Sequence, residues 1–249
     1  MNAPAPPKAI LCDVDGCLMP EGQTPADLDT LAEIARWIRK ARDRGGPLVA
    51  VCTGRPQAYA EAVCRSLDLR DLPSICEHGV WLYYFARHAW ERDPEITDAH
   101  LRAVRDAEDW VETELTAEGC TLQLGKSAGL TIFHDSVEHL RDSVLPRLEQ
   151  EASRRGWPLR LSMTWTCINA DLTHVSKASG IRRFMAKSGL KRGELAGIGD
   201  TSSDLAIHEE VAFFACPANA ADELKPHADF IAQAPEAEGV LEILRRFGA

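Results

Sequence analysis

Two aspartates one residue apart, Asp13 and Asp15, stand where the apolar run Ala9-Ile10-Leu11-Cys12 gives way to Gly16. Alternate side chains of an extended backbone leave on the same side, so the two carboxylates can converge. Held close, they repel unless a cation or a proton lies between them. Alone, an Asp-x-Asp-Gly segment is equally a solvated turn, since Asp and Gly both favour turns. Three later segments supply it with company. Thr53, in Thr53-Gly54-Arg55-Pro56, follows a second apolar run, and its hydroxyl and backbone N–H suit a phosphate oxygen, although Thr also caps helices. Lys177 opens a helical segment, where a lone lysine is ordinarily a solvated charge. Gly199-Asp200 and Asp204 put two more carboxylates into a loop running into a helix, an arrangement that also serves as a plain N-cap.

The elements that must position these groups alternate. Residues 9–12 and 48–52 read as buried strands, with a helix from about 25 to 44 between them that Gly45-Gly46-Pro47 stops. A helix over 57–67 and a strand at 74–76 follow, the latter leading to Glu77-His78-Gly79 and a hairpin-like stretch over 80–85. The pattern then changes. Helix 97–118, strands 120–124 and 130–133, helix 136–155 and strands near 159–163 and 166–170 make an αββαββ unit. From Lys177 the earlier alternation resumes: a helix to 188, a strand at 195–198, a helix from about 203, a strand at 211–215 and two terminal helical stretches. The fold class is therefore α/β, a doubly wound, Rossmann-like parallel sheet interrupted by an α+β insert. The expected division is 1–92 with 174–249 for the core and 93–173 for the insert. In such sheets the ligand crevice lies beyond the carboxyl ends of the strands, and every polar group singled out above falls at such an end.

Composition narrows the function. The chain has 249 residues, 45% of them hydrophobic and 27% charged, ordinary for a globular protein. Its formal net charge of −10 would repel nucleic acid and anionic membrane, so neither is an expected partner. Eight cysteines occur with no Cys-x-x-Cys spacing, which points to small buried hydrophobes in a reducing compartment rather than to disulfides or zinc. The first residues lack a signal peptide's apolar stretch and no run approaches a membrane span, so a cytoplasmic location is expected.

The four segments, in this order, resemble the four signature motifs of the haloacid dehalogenase superfamily of phosphohydrolases. Asp13-Val14-Asp15-Gly16 is similar to the first, Thr53-Gly54-Arg55 to the second, Lys177 to the third, and Gly199-Asp200 with Asp204 to the fourth. Glu77-His78-Gly79 resembles the Glu-Asn-Gly of the branch with a C2-type cap, and the insert resembles the smaller C2B cap. The tail around Ala218-Asn219-Ala220 and His227-Ala228-Asp229 is also similar to that branch. The resemblance implies a phosphatase in which Asp13 forms an aspartyl-phosphate and Asp15 acts as general acid and base. It implies a Mg²⁺ held by Asp13, the Val14 carbonyl and Asp200, with Asp15 and Asp204 beside it. Thr53, Gly54 and Lys177 would hold phosphoryl oxygens, with Asp204 positioning Lys177 or a metal-bound water. Mg²⁺ and Lys177 together supply the positive charge that four carboxylates and a phosphate dianion require. One departure is Ser203, where the branch has Asn, which removes or reroutes a hydrogen bond near the metal.

Substrate identity is expected to lie in the cap, with Lys126, Ser127, His134, Asn169 and Asp171 as candidate contacts; Trp157 and Trp165 read as cap core. The substrate expected is a small phosphorylated metabolite, a sugar phosphate or phosphoglycolate, bound by a monomer or homodimer. Alternatives are a phosphomannomutase-like phosphomutase and a catalytically silent binding protein on the same fold. The intact acids and lysine argue against the silent protein.

Overall fold

A computed structural model describes residues 6–21, 24–164 and 166–248; Trp165 lies outside the described residues. The chain divides into two compact units, Met1–Glu91 with Lys177–Ala249, and Arg92–Ser176.

The first unit is built on five parallel strands, β1 (Ala9–Cys12), β2 (Leu48–Val51), β10 (Leu195–Ile198), β11 (Phe213–Cys216) and β12 (Phe230–Ile231). Their order is β12-β11-β10-β1-β2. Cys12 lies opposite both Val51 and Ile198, so β1, β2 and β10 end at one level. That register sets Asp13, Thr53 and Asp200 on the same edge of the sheet. The Asp13 N–H donates to the Ile198 carbonyl at 2.9 Å and the Cys52 N–H to Cys12 at 2.8 Å, extending the ladder one step past the strands.

β1 is buried on both faces, as a central parallel strand must be. Ile10 and Cys12 pack toward α1 (Leu28–Asp43), α2 (Gln57–Leu67) and α8 (Glu236–Arg245). Ala9 and Leu11 face the opposite way, toward Ile181 and Phe184 of α6 (Lys177–Ser188) and Ile207 of α7 (Leu205–His208). Phe184 is fully buried, and truncating it to alanine would cost about 3–5 kcal/mol. The sequence locates α1 well: Asp27 caps it, accepting from the Thr30 N–H, and Leu31, Ile34, Ala35, Ile38 and Ala41 are its buried face.

A smaller sheet, in the order β3 (Ser74–Cys76), β4 (Trp81–Tyr84) and β5 (Ala89–Arg92), continues from the edge beside β2. The join is a bridge between Cys52 and Ile75 and a bond from the Thr53 N–H to the Ile75 carbonyl at 2.9 Å. Helix α6 packs closely here. A side chain on Gly180 would meet Ile75 Cγ2 at 2.7 Å and the Gly79 Cα at 2.8 Å, so only glycine lets α6, with Lys177 at its first turn, approach. Arg183, further along α6, donates to the Gly79 carbonyl at 2.8 Å and the Glu91 carbonyl at 3.0 Å.

The second unit holds α3 (Asp98–Glu114), β6 (Thr121–Leu122), β7 (Gly129–Phe133), α4 (Val137–His139), α5 (Leu145–Arg155), β8 (Leu159–Met163) and β9 (Cys167–Leu172). Its sheet is antiparallel, ordered β6-β7-β9-β8. Leu130, Ile132, Ile168 and Ala170 are buried on one face, with Thr131, Asn169 and Asp171 buried on the alternate positions.

Three details differ from the sequence reading. The helix expected over 136–155 is interrupted by a π turn at Leu140–Val144, because Pro146 has no N–H to continue the i to i−4 ladder. Strand β11 starts at Phe213 rather than at 211. Of the two terminal helical stretches only α8 is an α-helix; the other is a three-residue 3-10 turn at Lys225–His227 containing Pro226. All eight cysteines are free and buried. Among the described residues, no helix is long and apolar enough to cross a membrane.

Candidate active site

Lys177 is the centre of the charged cluster. Its ammonium lies 2.7 Å from Asp13 Oδ2 and 2.6 Å from Asp204 Oδ1, with the side chain only 3% exposed. Burial pulls its pKa down, but Asp13 and Asp204 outweigh that and hold it well above the ordinary value. Asp204 spends its other oxygen on the turn, accepting the N–H groups of Asp200 at 3.0 Å and Thr201 at 3.1 Å. It therefore fixes both the lysine and the loop that carries Asp200. Gly199 is required for this, since a Cβ there would meet the Asp204 Cβ at 2.4 Å.

Asp200 reaches the Asp13–Gly16 loop in a similar way. A side chain on Gly16, whose φ is +68°, would lie 1.8 Å from Asp200 Oδ2. Both its backbone conformation and this approach demand glycine. Asp200 Oδ1 is buried with no hydrogen-bond partner. One carboxylate oxygen from each of Asp13, Asp200 and Asp204 falls within 4.8 Å of the other two. Burial, then Asp204 and Asp13, push the Asp200 pKa up to about 9. Burial pushes Asp13 up to about 7, with Lys177 opposing and Asp204 adding to the rise. These acids lack positive charge, and the orphaned Asp200 oxygen marks where it belongs. A hard divalent cation fits such an all-oxygen donor set.

Asp15 is placed differently from Asp13. Both its oxygens face Arg55, whose Nε lies 2.9 Å from Oδ1 and 2.8 Å from Oδ2, while a second guanidinium nitrogen closes the fork on Oδ1. Its carboxylate is thus outside the Asp13–Asp200–Asp204 cluster. The sequence reading placed Arg55 in the second motif but gave it no role of its own; a cation two residues after Thr53 was the available signal. The Val14 carbonyl, expected to ligate metal, accepts the N–H groups of Met19 at 2.8 Å and Cys17 at 3.3 Å. The tight turn of the loop thus engages that oxygen.

Thr53 is fully buried beside this group, and its hydroxyl accepts the Arg55 N–H at 3.1 Å. Gly54 follows with the His78 ring against it. Ser203 is exposed and its hydroxyl lies 2.9 Å from that of Thr201, so the position expected to hold Asn is engaged within its own turn. Asn219 joins the loops: its amide donates to the Gly16 carbonyl at 2.9 Å and accepts the Glu236 N–H at 2.7 Å.

Three of the cap candidates, Asn169, Asp171 and His134, are engaged within their own unit. Asn169 accepts from the Thr131 hydroxyl at 2.7 Å, and Asp171 lies 3.8 Å from Arg160. His134 has both ring nitrogens occupied, Nε2 3.0 Å from the Glu118 carbonyl and Nδ1 accepting the Ser136 N–H at 2.9 Å. Lys126 and Ser127 lie in the turn between β6 and β7, half-buried and exposed respectively. Trp157 is buried, its indole N–H donating to Asp106 at 2.8 Å.

A family model described as haloacid dehalogenase-like hydrolase matches residues 10–113 and 142–244. Phosphoglycolate phosphatase 1 of Saccharolobus solfataricus is 37% identical over 240 residues, covering 95% of this chain and 94% of that one. The phosphoglycolate phosphatase of Sulfolobus acidocaldarius is 34% identical over 240 residues, with 96% of each covered. Among solved structures, Thermoplasma acidophilum 0175 shares the fold with a TM-score of 0.74 at 17% identity, covering 97% of this chain and 98% of that one.

Proposed function

The chain belongs to the haloacid dehalogenase-like hydrolases, and on that premise we propose that it hydrolyses a small phosphomonoester through its own Asp13. The observation that carries this reading is the buried Lys177, clasped between Asp13 and Asp204 beside an Asp200 oxygen that has no partner. Structural ion pairs are ordinarily balanced; this group leaves an acid in want of a cation.

Asp13 attacks phosphorus, and the bond from phosphorus to the leaving oxygen breaks as Asp15 delivers a proton to that oxygen. Asp15 then takes a proton from water as the water oxygen attacks the aspartyl-phosphate, freeing inorganic phosphate and restoring Asp13. Arg55 holds Asp15 through both oxygens, and one of them leaves the fork to carry the proton. Lys177 and the Thr53–Gly54 turn hold the transferring oxygens, and Asp204 keeps Lys177 in place. Asp13 and Asp200 would hold Mg²⁺. The ion supplies charge neutralisation to the developing phosphoryl oxygens.

Phosphoglycolate is the substrate we put first, on the names of the relatives that align with nearly the whole chain. The test measures phosphate release from phosphoglycolate beside a hexose phosphate, with Mg²⁺ and with a chelator. Release that needs Mg²⁺ and favours phosphoglycolate is expected. Mg²⁺-dependent release favouring the hexose phosphate would move the substrate, and release from neither would overturn the reading.

A further inference from the structure

The ladder between β1 and β10 ends with the bond from the Asp13 N–H to the Ile198 carbonyl, and the Asp13–Gly16 loop and the loop of Asp200 run on beyond it. Both loops are bonded to one short segment, 217–221, which follows β11. The Ala221 N–H donates to the Asp200 carbonyl at 2.7 Å. The Asn219 side-chain amide donates to the Gly16 carbonyl at 2.9 Å. The Glu236 N–H, a donor only, lies 2.7 Å from Asn219 Oδ1, so the amide nitrogen is the group that faces Gly16.

Asn219 is itself well anchored. A Cβ on Gly239 would lie 2.8 Å from the Pro217 Cβ, so α8 packs tightly against the turn that carries Asn219. The Ala218 N–H adds a bond to the Ala234 carbonyl at 3.0 Å. Glu236, the first residue of α8, has a φ of +46°, backbone that a non-glycine residue keeps only where its surroundings over-determine it. At the other end of the amide, Gly16 is where the two loops meet, since a Cβ there would overlap Asp200 Oδ2. The Gly16 main chain therefore sets how Asp200 lies against the Asp13 loop, and Asn219 holds Gly16.

We infer that Asn219 is a positioning residue: by holding the Gly16 carbonyl it fixes the spacing of the Asp13 and Asp200 carboxylates, and with it the affinity of the site for a divalent cation. The inference rests on the reading above, in which those two acids hold Mg²⁺. It gives the segment after β11 a part in the site without any contact to substrate.

Three variants separate this role from plain support of α8. Asn219→Asp keeps an oxygen for the Glu236 N–H and loses the donor to Gly16; Asn219→Leu loses both. Glu242→Ala removes the acceptor of the Gln233 N–H, at 2.8 Å, and so loosens the approach to α8 without touching Gly16. Mg²⁺ binding is read without turnover, as the rise in melting temperature over a Mg²⁺ titration, with phosphate release measured beside it. Both Asn219 variants should need roughly tenfold more Mg²⁺, the lower end of what losing a residue that orients a metal ligand costs. Phosphate release should recover as Mg²⁺ saturates. The added charge of Asn219→Asp attracts Mg²⁺, so weaker binding in that variant runs against its charge and marks the lost bond. Glu242→Ala should melt lower in chelator and keep the wild-type Mg²⁺ requirement. An unchanged Mg²⁺ requirement in either Asn219 variant would overturn the inference, as would an equal increase in Glu242→Ala or a wild type whose melting ignores Mg²⁺. A Mg²⁺ response that depends on Asn219, in a protein that cleaves no phosphomonoester, would sink the phosphatase reading and leave the role of Asn219 standing.

Discussion

In the inserted unit the buried Thr131 donates to Asn169 at 2.7 Å, and the buried Asp171 has Arg160 at 3.8 Å. In the core unit Asp13 and Asp204 share a single lysine, and one Asp200 oxygen has no partner at all. Both units leave a buried polar atom without a hydrogen bond, His174 Nε2 in the insert and Asp200 Oδ1 in the core, but among the described residues only the core gathers three acids around it. Satisfied polar groups fix a fold, whereas a deficit kept in place by Gly16 and Gly199 is a site for a ligand.

That contrast can be broken by substitution. Asp13→Asn removes the nucleophile and should lower kcat roughly 10⁴-fold or more, read as phosphate release with the fold intact by circular dichroism. Asn169→Ala in the insert should change kcat less than roughly tenfold, since it removes no reacting group. A comparable loss from both would erase the distinction. Lys177→Met strips two buried carboxylates of their partner, and denaturant unfolding should show a loss of about 3–5 kcal/mol along with the activity.

The deficit should also be visible as pH dependence. The carboxyls of Asp13 and Asp200 are raised to about 7 and about 9 in the metal-free protein, chiefly by burial. The unfolded chain gives up these protons nearer pH 4, so their contribution to stability is complete below that pH. It is lost as pH rises toward 9. Melting in chelator should fall over this window, and added Mg²⁺ should restore more of it at pH 8.5 than at pH 6, because the cation displaces the protons. A chelated protein whose melting temperature is flat from pH 5 to 9 would contradict the buried deficit. The smallest effect belongs to the insert: Thr131→Ala leaves the Asn169 oxygen without its donor and should cost about 1–3 kcal/mol of stability, with Mg²⁺ response unchanged.

The contrast also explains what could be read in advance. Asp13, Thr53, Lys177 and Asp200 were legible because each follows a buried apolar run or opens a helix, and a parallel sheet in register gathers such positions at one edge. What Arg55, Asn219 and Gly16 do was not, although all three fall in the motif segments named above. Their roles consist of contacts between distant segments, such as the Asn219 amide on the Gly16 carbonyl, and no local pattern encodes them. That the loop closes on the Val14 carbonyl through Cys17 and Met19 was not legible either, since spacing alone leaves that turn open. In the insert, elements could be read from periodicity, but Lys126, His134, Asn169 and Asp171 were singled out by polarity, and polarity cannot tell a free group from a satisfied one.

The place of β1 has a further consequence. It pairs with β2 on one side and with β10 on the other, and the whole insert is looped out between those two partners. The entropy of closing a loop grows only with the logarithm of its length, about 0.6 kcal/mol for each doubling. The central strand therefore barely registers how long the excursion is. A lineage carrying this core can exchange, shrink or enlarge the excursion with little thermodynamic penalty to the sheet, and so acquire new substrates while the machinery that handles phosphorus stays as it is.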